Sequence, residues 1–366
     1  MNDDAIAEFL RTHEAAPVGL TPPLPVLQPM PNGGEQARPE FNFEVEYACE
    51  EWKPLPLSEA PPKDGEFPVR FIDGCHAGQP VLCLTVRGSG RPVPLYLAEV
   101  GAVALKSVGR TFEREFVHID RVLSFVADLF PWEQVEAFSA AIQNNPAIGL
   151  RVLAANDVDP AVHNLYDYEA MRQQAQARAQ YEMTNLERLA MASCAEHPTL
   201  IDGPLNRLGG RIRSDDALRV GCVKMSADVP LHHQGMRTLL SLKPAHRTPV
   251  YFAPGNEGGQ GGAIPVAAWY VRMVGGRNLA PNWGYVRVEV PWVQFEGRFR
   301  GDFTFVDRLS RWLIDARCRA DSYSRMPVSL EPIVRAEDAL KPLFTPLAVL
   351  VNRLYRQAGL FRGNER

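Results

Sequence analysis

Phe71-Ile72-Asp73-Gly74-Cys75 and, far downstream, Leu200-Ile201-Asp202-Gly203-Pro204-Leu205 decide how this chain is read. In each, an apolar run ends in an aspartate followed at once by glycine. Such a run reads as a buried strand, and the Asp-Gly delivers a carboxylate to a sheet edge before the chain turns away. Asp-Gly is also among the commonest turn dipeptides, so either copy alone reads as a plain hairpin or loop. Together they say more, because a long helix-rich segment separates two copies with the same apolar lead-in, which suits two strands of one sheet.

Outward from the first copy, Val69–Ile72, Val81–Val86 and Pro94–Val100 are strand-like, and Gly88-Ser89-Gly90 marks a hairpin between the last two. Beyond Lys106 the pattern turns helical, through Ile119–Phe130 and then Pro131–Ile142. A long helix is predicted over Tyr166–Ser193, where Ala, Gln, Arg, Glu and Met dominate and neither Gly nor Pro interrupts. After the second copy come a strand at Leu218–Lys224, a polar stretch with His232 and His233, and strands at Val266–Met273 and Tyr285–Pro291. In the last, alternation puts Arg287 and Glu289 on one face and Val286, Val288 and Val290 on the other. The loop Asn256–Gly262 lacks the Lys-Ser/Thr of a Walker motif and gives no reason to expect nucleotide hydrolysis.

The first 65 residues are rich in proline, with Pro17, Pro22, Pro23, Pro25, Pro29 and Pro31 following a short amphipathic stretch (Ile6, Phe9, Leu10). They read as an arm that is extended or packs on something else. The expected organisation is therefore an arm over 1–65, one α/β domain over 66–342 and an apolar C-terminal helix over 343–366. At 366 residues and 46% apolar the chain has ample length for a core. No apolar run approaches the roughly 18 residues that span a bilayer, and the acidic N-terminus is unlike a signal peptide, so a cytoplasmic protein without membrane contact is expected. Six scattered cysteines without a C-x-x-C pair give neither a zinc ribbon nor a disulfide framework.

Two carboxylates meeting at a sheet edge can share a hard divalent cation, and a pair of such ions can activate water and stabilise the leaving oxygen of a phosphodiester. Asp73 and Asp202 are the first candidates. Glu182 and Glu187, in the second half of the long helix, are five apart and so lie well off each other's face, which allows one of them as a ligand. Glu182, one turn after Arg178, is favoured over Glu187, whose neighbour Arg188 suggests a solvent pair. Lys224 could neutralise a phosphate or orient the attacking water, or be a strand-end lysine in solvent. His232 and His233 could carry protons, though adjacent side chains on extended backbone cannot both serve. The net charge of −4 gives no global attraction to nucleic acid. The arginines between Arg298 and Arg325, interleaved with aspartates, suit an ion-paired helix and a phosphate track equally.

The order of Asp73-Gly74, hairpin, glutamate-bearing helix, Leu200–Leu205, Val220-Gly221-Cys222-Val223-Lys224 and Arg287-Val288-Glu289-Val290-Pro291 resembles the NurA nuclease family, from about Phe67 to Asp338. The resemblance implies an RNase H-like mixed sheet flanked by helices. It also implies a manganese- or magnesium-dependent deoxyribonuclease site of Asp73, a helical glutamate and Asp202, and a homodimer that processes DNA ends with a HerA-type hexameric translocase in repair or phage defence. Two departures stand out. The family's C-terminal Tyr-Pro-x-x-Leu-x-x-Ala-His segment corresponds to Met326-Pro327-Val328-Ser329-Leu330 running on to Arg335-Ala336-Glu337-Asp338, with Tyr323 close by. The usual Asp-Gly-Ser reads Asp-Gly-Cys-His here. Those departures, the N-terminal arm and the apolar C-terminal helix also suit a different reading: an RNase H-like adaptor that caps or regulates a translocase ring without cleaving DNA.

Overall fold

Three long antiparallel strands carry the fold: β3 (Arg70–Thr85), β4 (Pro92–Val108) and β5 (Thr111–Val126). β4 is buried on both faces from Val93 to Leu105, which is why its sequence is almost continuously apolar. Gly88 and Gly90, both at positive φ, close the β3–β4 turn as expected, and Gly109 (φ +61°) closes the next. The computed structural model describes residues 2–18, 40–59, 66–155, 168–193, 196–205, 212–224, 229–255, 264–275, 284–299, 301–318 and 328–360.

Around this ribbon the described elements are, in order, α1 (Asn2–Thr12), β1 (Ala16–Pro17) and β2 (Leu55–Pro56) before it. After it come α2 (Trp132–Gln143), β6 (Arg151–Ala155), α3 (Tyr168–Ser193), β7 (Thr199–Asp202), β8 (Arg219–Val223), α4 (His233–Ser241), β9 (His246–Arg247), β10 (Tyr251–Ala253), β11 (Val266–Arg272), β12 (Tyr285–Pro291), α5 (Trp292–Phe299), α6 (Phe303–Asp315), α7 (Glu331–Leu340) and α8 (Leu347–Gln357). One mixed sheet runs in the order β2-β9-β11-β12-β8-β7-β3-β4-β5-β6. β7 lies parallel to β3, and β8 parallel to β7, while β12 and β11 return antiparallel beyond them. Helices flank the sheet on both faces. α3 packs on Tyr96, Ala98, Val100 and Ala102 through Ala175, Ala179 and Leu186, and α7 packs on Val103 and Leu105 through Ala336 and Leu340.

Three expectations are corrected. The stretch Ile119–Val126, read as helical, is the end of β5: its Arg121 and Leu123 favour a helix locally, but pairing with β4 on one side and β6 on the other decides. The runs 69–72 and 81–86 are one strand, with an irregularity between Pro80 and Leu82. Asp73-Gly74 is consequently no turn. β3 continues straight through it, with Asp73 opposite Val103 and Gly74 opposite Ala102. Only the second Asp-Gly behaves as read, since β7 ends at Asp202 and Gly203 takes φ +111°.

The described parts of the first 65 residues pack on the sheet. Ile6, Phe9 and Leu10 of α1 are buried with Phe138 of α2 and Leu350 and Leu354 of α8, and the Phe9 and Phe138 rings stack at 4.4 Å. β1 pairs with the far end of β3, Ala16 opposite Cys83. At the other edge Trp52 is buried and β2 pairs with β9. The prolines at 22–31, the loop 256–262 and Tyr323 lie outside the described residues. No described helix is long and apolar enough to cross a membrane.

Candidate active site

Strand register brings the two aspartates together. In the parallel pair β3–β7 the last partners are Ile72 and Ile201, so Asp73 and Asp202 follow side by side on neighbouring strands, whose separation is about 4.8 Å. Alternation fixes their common face. Phe71 and Leu200, two residues earlier, belong to the core on one side of the sheet, and Ile72 and Ile201 to the core on the other. Asp73 and Asp202 therefore share the face of Phe71 and Leu200, where α7 also packs, and Gly74 lies on the face covered by α3.

Lys224, just past β8, donates from Nζ to Asp202 Oδ2 at 2.9 Å and is itself largely buried. It is thus no solvent lysine. Asp73 is buried. Burial first, and then the neighbouring Asp202 carboxylate, push its pKa well above the usual carboxylate range. Lys224 opposes the shift, and Glu187 and Glu337 add to it.

Glu187, not Glu182, comes within electrostatic range of Asp73, from the opposite, α3 face of the sheet. A Cβ on Gly74 would lie 2.5 Å from Glu187 Oε1 and 2.9 Å from Met183 Cγ, so the glutamate carboxylate rests directly on the bare backbone of Gly74. This contact, not a turn, is what requires glycine in mid-strand. Gly74→Ala is expected to force Glu187 off this seat and to destabilise the fold by about 1–3 kcal/mol. Comparing urea midpoints of the variant and the wild type checks it. Glu182, the favoured choice on sequence, faces away toward β5 and β6: Arg151 Nη2 holds its Oε1 at 2.5 Å, Arg178 lies 3.5 Å from Oε2, and Asn185 donates at 3.2 Å. Arg151 is shared with Asp120 at 2.7 Å, so Glu182 belongs to a network of ion pairs.

Two further acids escape a sequence reading. Glu337 of α7 comes within electrostatic reach of both Asp73 and Cys75 and pairs with Lys341 at 2.9 Å. Its only signal was its place in the stretch Arg335-Ala336-Glu337-Asp338. Glu289 is buried on β12, 2.5 Å from Arg287 and opposite Gly221 of β8. Cys75 stays a thiol, since burial and the Asp73 charge both raise its pKa.

No family model matches this chain, and no curated protein matches its sequence. A solved structure, the NurA nuclease from Sulfolobus solfataricus, is similar to it at 12% identity with a TM-score of 0.44, over 85% of this chain and 88% of that one. At that score the likeness carries no argument about this chain.

Three of the remaining candidates, His232, Arg308 and Arg311, make structural contacts. His232 caps α4, accepting from Gly235 N–H at 3.4 Å, and its ring lies edge-on to Trp52 at 4.8 Å. Of the arginine-rich segment, Arg308 is buried against Glu66 and Asp302, and Arg311 donates to Leu57 O, so these two serve the fold and not a phosphate track. Among the described residues no three His, Cys, Asp or Glu side chains converge closely enough to hold a metal ion. In kind, however, the donors suit a hard divalent cation. Asp73 and Asp202 are oxygen donors on adjacent strands.

Proposed function

We propose that the chain is a manganese- or magnesium-dependent deoxyribonuclease, with Asp73 and Asp202 as the principal ion ligands and Glu187 of α3 as a supporting carboxylate within electrostatic range of Asp73. The observation that carries this reading is that Asp73 and Asp202 directly follow the last paired residues of β3 and β7, with Lys224 paired to Asp202. The strand order also supports an RNase H-like fold: three antiparallel strands, then two more parallel to the first, reached through α3. A divalent ion, when bound, would supply Lewis-acid stabilisation of charge at a phosphate. The protein's own residues orient and exclude. Lys224 keeps a positive charge at the edge of the site that can offset charge on a phosphate oxygen, and α3 and α7 close the two faces of the sheet around Asp73.

A dimer acting with a HerA-type translocase on DNA ends in the cytoplasm, in repair or defence, belongs to the same proposal and rests on the order of the sequence motifs. A second reading, a non-cleaving adaptor for a translocase ring, is favoured by the absence of a closed three-ligand group among the described residues and by the ion pair that Asp202 already makes.

One series separates them. Wild-type protein incubated with linear DNA and Mn²⁺ is expected to degrade it, and Mn²⁺ alone is expected to raise the melting temperature by linkage. Glu187→Gln should cut cleavage at least ~10-fold, as loss of a ligand or its support does. Glu182→Gln should leave the rate within a few-fold. A wild-type protein that neither cleaves nor gains stability with Mn²⁺ belongs to the adaptor reading, and the opposite ranking of the two glutamates would remove Glu187 from the site.

A further inference from the structure

The strand Arg287-Val288-Glu289-Val290-Pro291 has so far no part in the site, yet its buried glutamate reaches the chain just beyond Asp202. After Asp202 the backbone leaves β7 through Gly203, whose N–H still donates to Cys222 O at 2.9 Å. Pro204 follows and offers no N–H. The first donor after it, the buried Leu205 N–H, is accepted by Glu289 Oε2 at 2.8 Å. Glu289 is in turn fixed by Arg287 through its other oxygen at 2.5 Å.

The close approach depends on Gly221, which stands between them on β8. A Cβ there would meet Leu205 Cγ at 2.9 Å, Gly203 O at 3.0 Å and Glu289 Cβ at 3.3 Å. Glu289, Gly221 and the Gly203–Leu205 corner thus pack as one unit directly behind the carboxylate of Asp202. Without the Glu289 acceptor, the corner would carry a buried donor with no partner and would shift to find one.

We infer that Glu289 is a positioning residue for Asp202, holding the Gly203–Leu205 corner through the Leu205 amide and so fixing the direction of the Asp202 carboxylate. This rests on the nuclease reading for its consequence, but not for its geometry. Two conservative variants tell positioning from charge balance. Glu289→Gln keeps the reach of the acceptor and removes the charge, whereas Glu289→Asp keeps the charge for Arg287 and withdraws the acceptor by one methylene.

The first measurement needs no metal. Amide hydrogen exchange, read by mass spectrometry on the peptide spanning Gly203–Leu205, should accelerate at least ~10-fold in Glu289→Asp and stay within ~3-fold of wild type in Glu289→Gln. The second is the Mn²⁺ concentration for half-maximal DNA cleavage, which should rise ~10–100-fold in Glu289→Asp only. Unchanged exchange in both variants, or faster exchange in Glu289→Gln than in Glu289→Asp, overturns the inference. If the exchange pattern appears but Mn²⁺ neither binds nor supports cleavage in wild type, the clamp stands and the nuclease reading falls. If exchange responds while the manganese requirement does not, the clamp is structural only and the positioning role is overturned.

Discussion

Asp73→Asn is expected to abolish manganese-dependent cleavage and, in the metal-free protein, to raise the melting temperature. Both follow from one feature: a buried carboxylate beside Asp202, with Glu187 and Glu337 within electrostatic range and a single lysine in opposition. The loss of cleavage should exceed ~10³-fold, the scale of removing a principal stabilising group. The gain in stability has a defined pH dependence. The folded protein holds the Asp73 proton more tightly than the unfolded chain does. The energetic cost of ionising it is therefore absent below the ordinary carboxylate range, appears as pH rises through the elevated folded value, and is full above it. The melting curves of wild type and Asp73→Asn should coincide in acid and separate toward neutral pH, with the variant higher by about 2 °C or more. Saturating Mn²⁺ should then raise the wild type and leave the variant unmoved. A variant less stable than wild type at neutral pH would mean that the Asp73 charge is already compensated, and that no cation is wanted there.

The second large effect is on folding. Arg247 of β9 is buried to 3% side-chain exposure and makes a two-pronged pair with Glu46, at 2.7 and 2.9 Å, and a third contact with Asp307 of α6 at 2.6 Å. Glu46, at 5% exposure, also accepts from Val250 N–H, so this one guanidinium joins the segment 40–59, the sheet edge and α6. Arg247→Met strands a buried carboxylate and should cost about 3–5 kcal/mol. Denaturant unfolding of a double-mutant cycle with Glu46→Gln checks the cause. Much of the loss should vanish in the Glu46→Gln background, where only the less buried Asp307 is left without its arginine. Equal losses in both backgrounds would assign the effect to lost packing.

Much of the frame was legible. α2 and α3, the β3–β4 hairpin and the strands at β8, β11 and β12 carry local patterns strong enough to survive folding. So does the Asp202-Gly203 corner, because positive φ and a strand end coincide there. What was hidden lies in non-local pairing. Local chemistry makes Asp73-Gly74 a turn, and only the partners supplied by β4 and β7 carry the strand through it. Gly74 signals a close approach to Glu187, a residue more than a hundred positions away, so no local rule finds it. The choice between Glu182 and Glu187 turned on which arginine answers which carboxylate. Arg151, on β6, captures Glu182, and its arrival there depends on the β5–β6 pairing. Glu289 was placed on the right face of its strand, but its reach to the Leu205 amide depends on the meeting of β12 and β8.

The unequal strand lengths set a spatial scale. β7 stops at Asp202, while β3 runs on past Asp73 from Gly74 to Thr85, twelve residues or at most ~40 Å of extended chain, into the end wrapped by α1, α2 and α8. The carboxylates therefore stand far off-centre, close to one margin of the ribbon. A nucleic-acid strand advancing ~3.4 Å per nucleotide and aligned with that ribbon would be shielded over roughly a dozen nucleotides on one side of the scissile bond and exposed soon after it on the other, an asymmetric footprint.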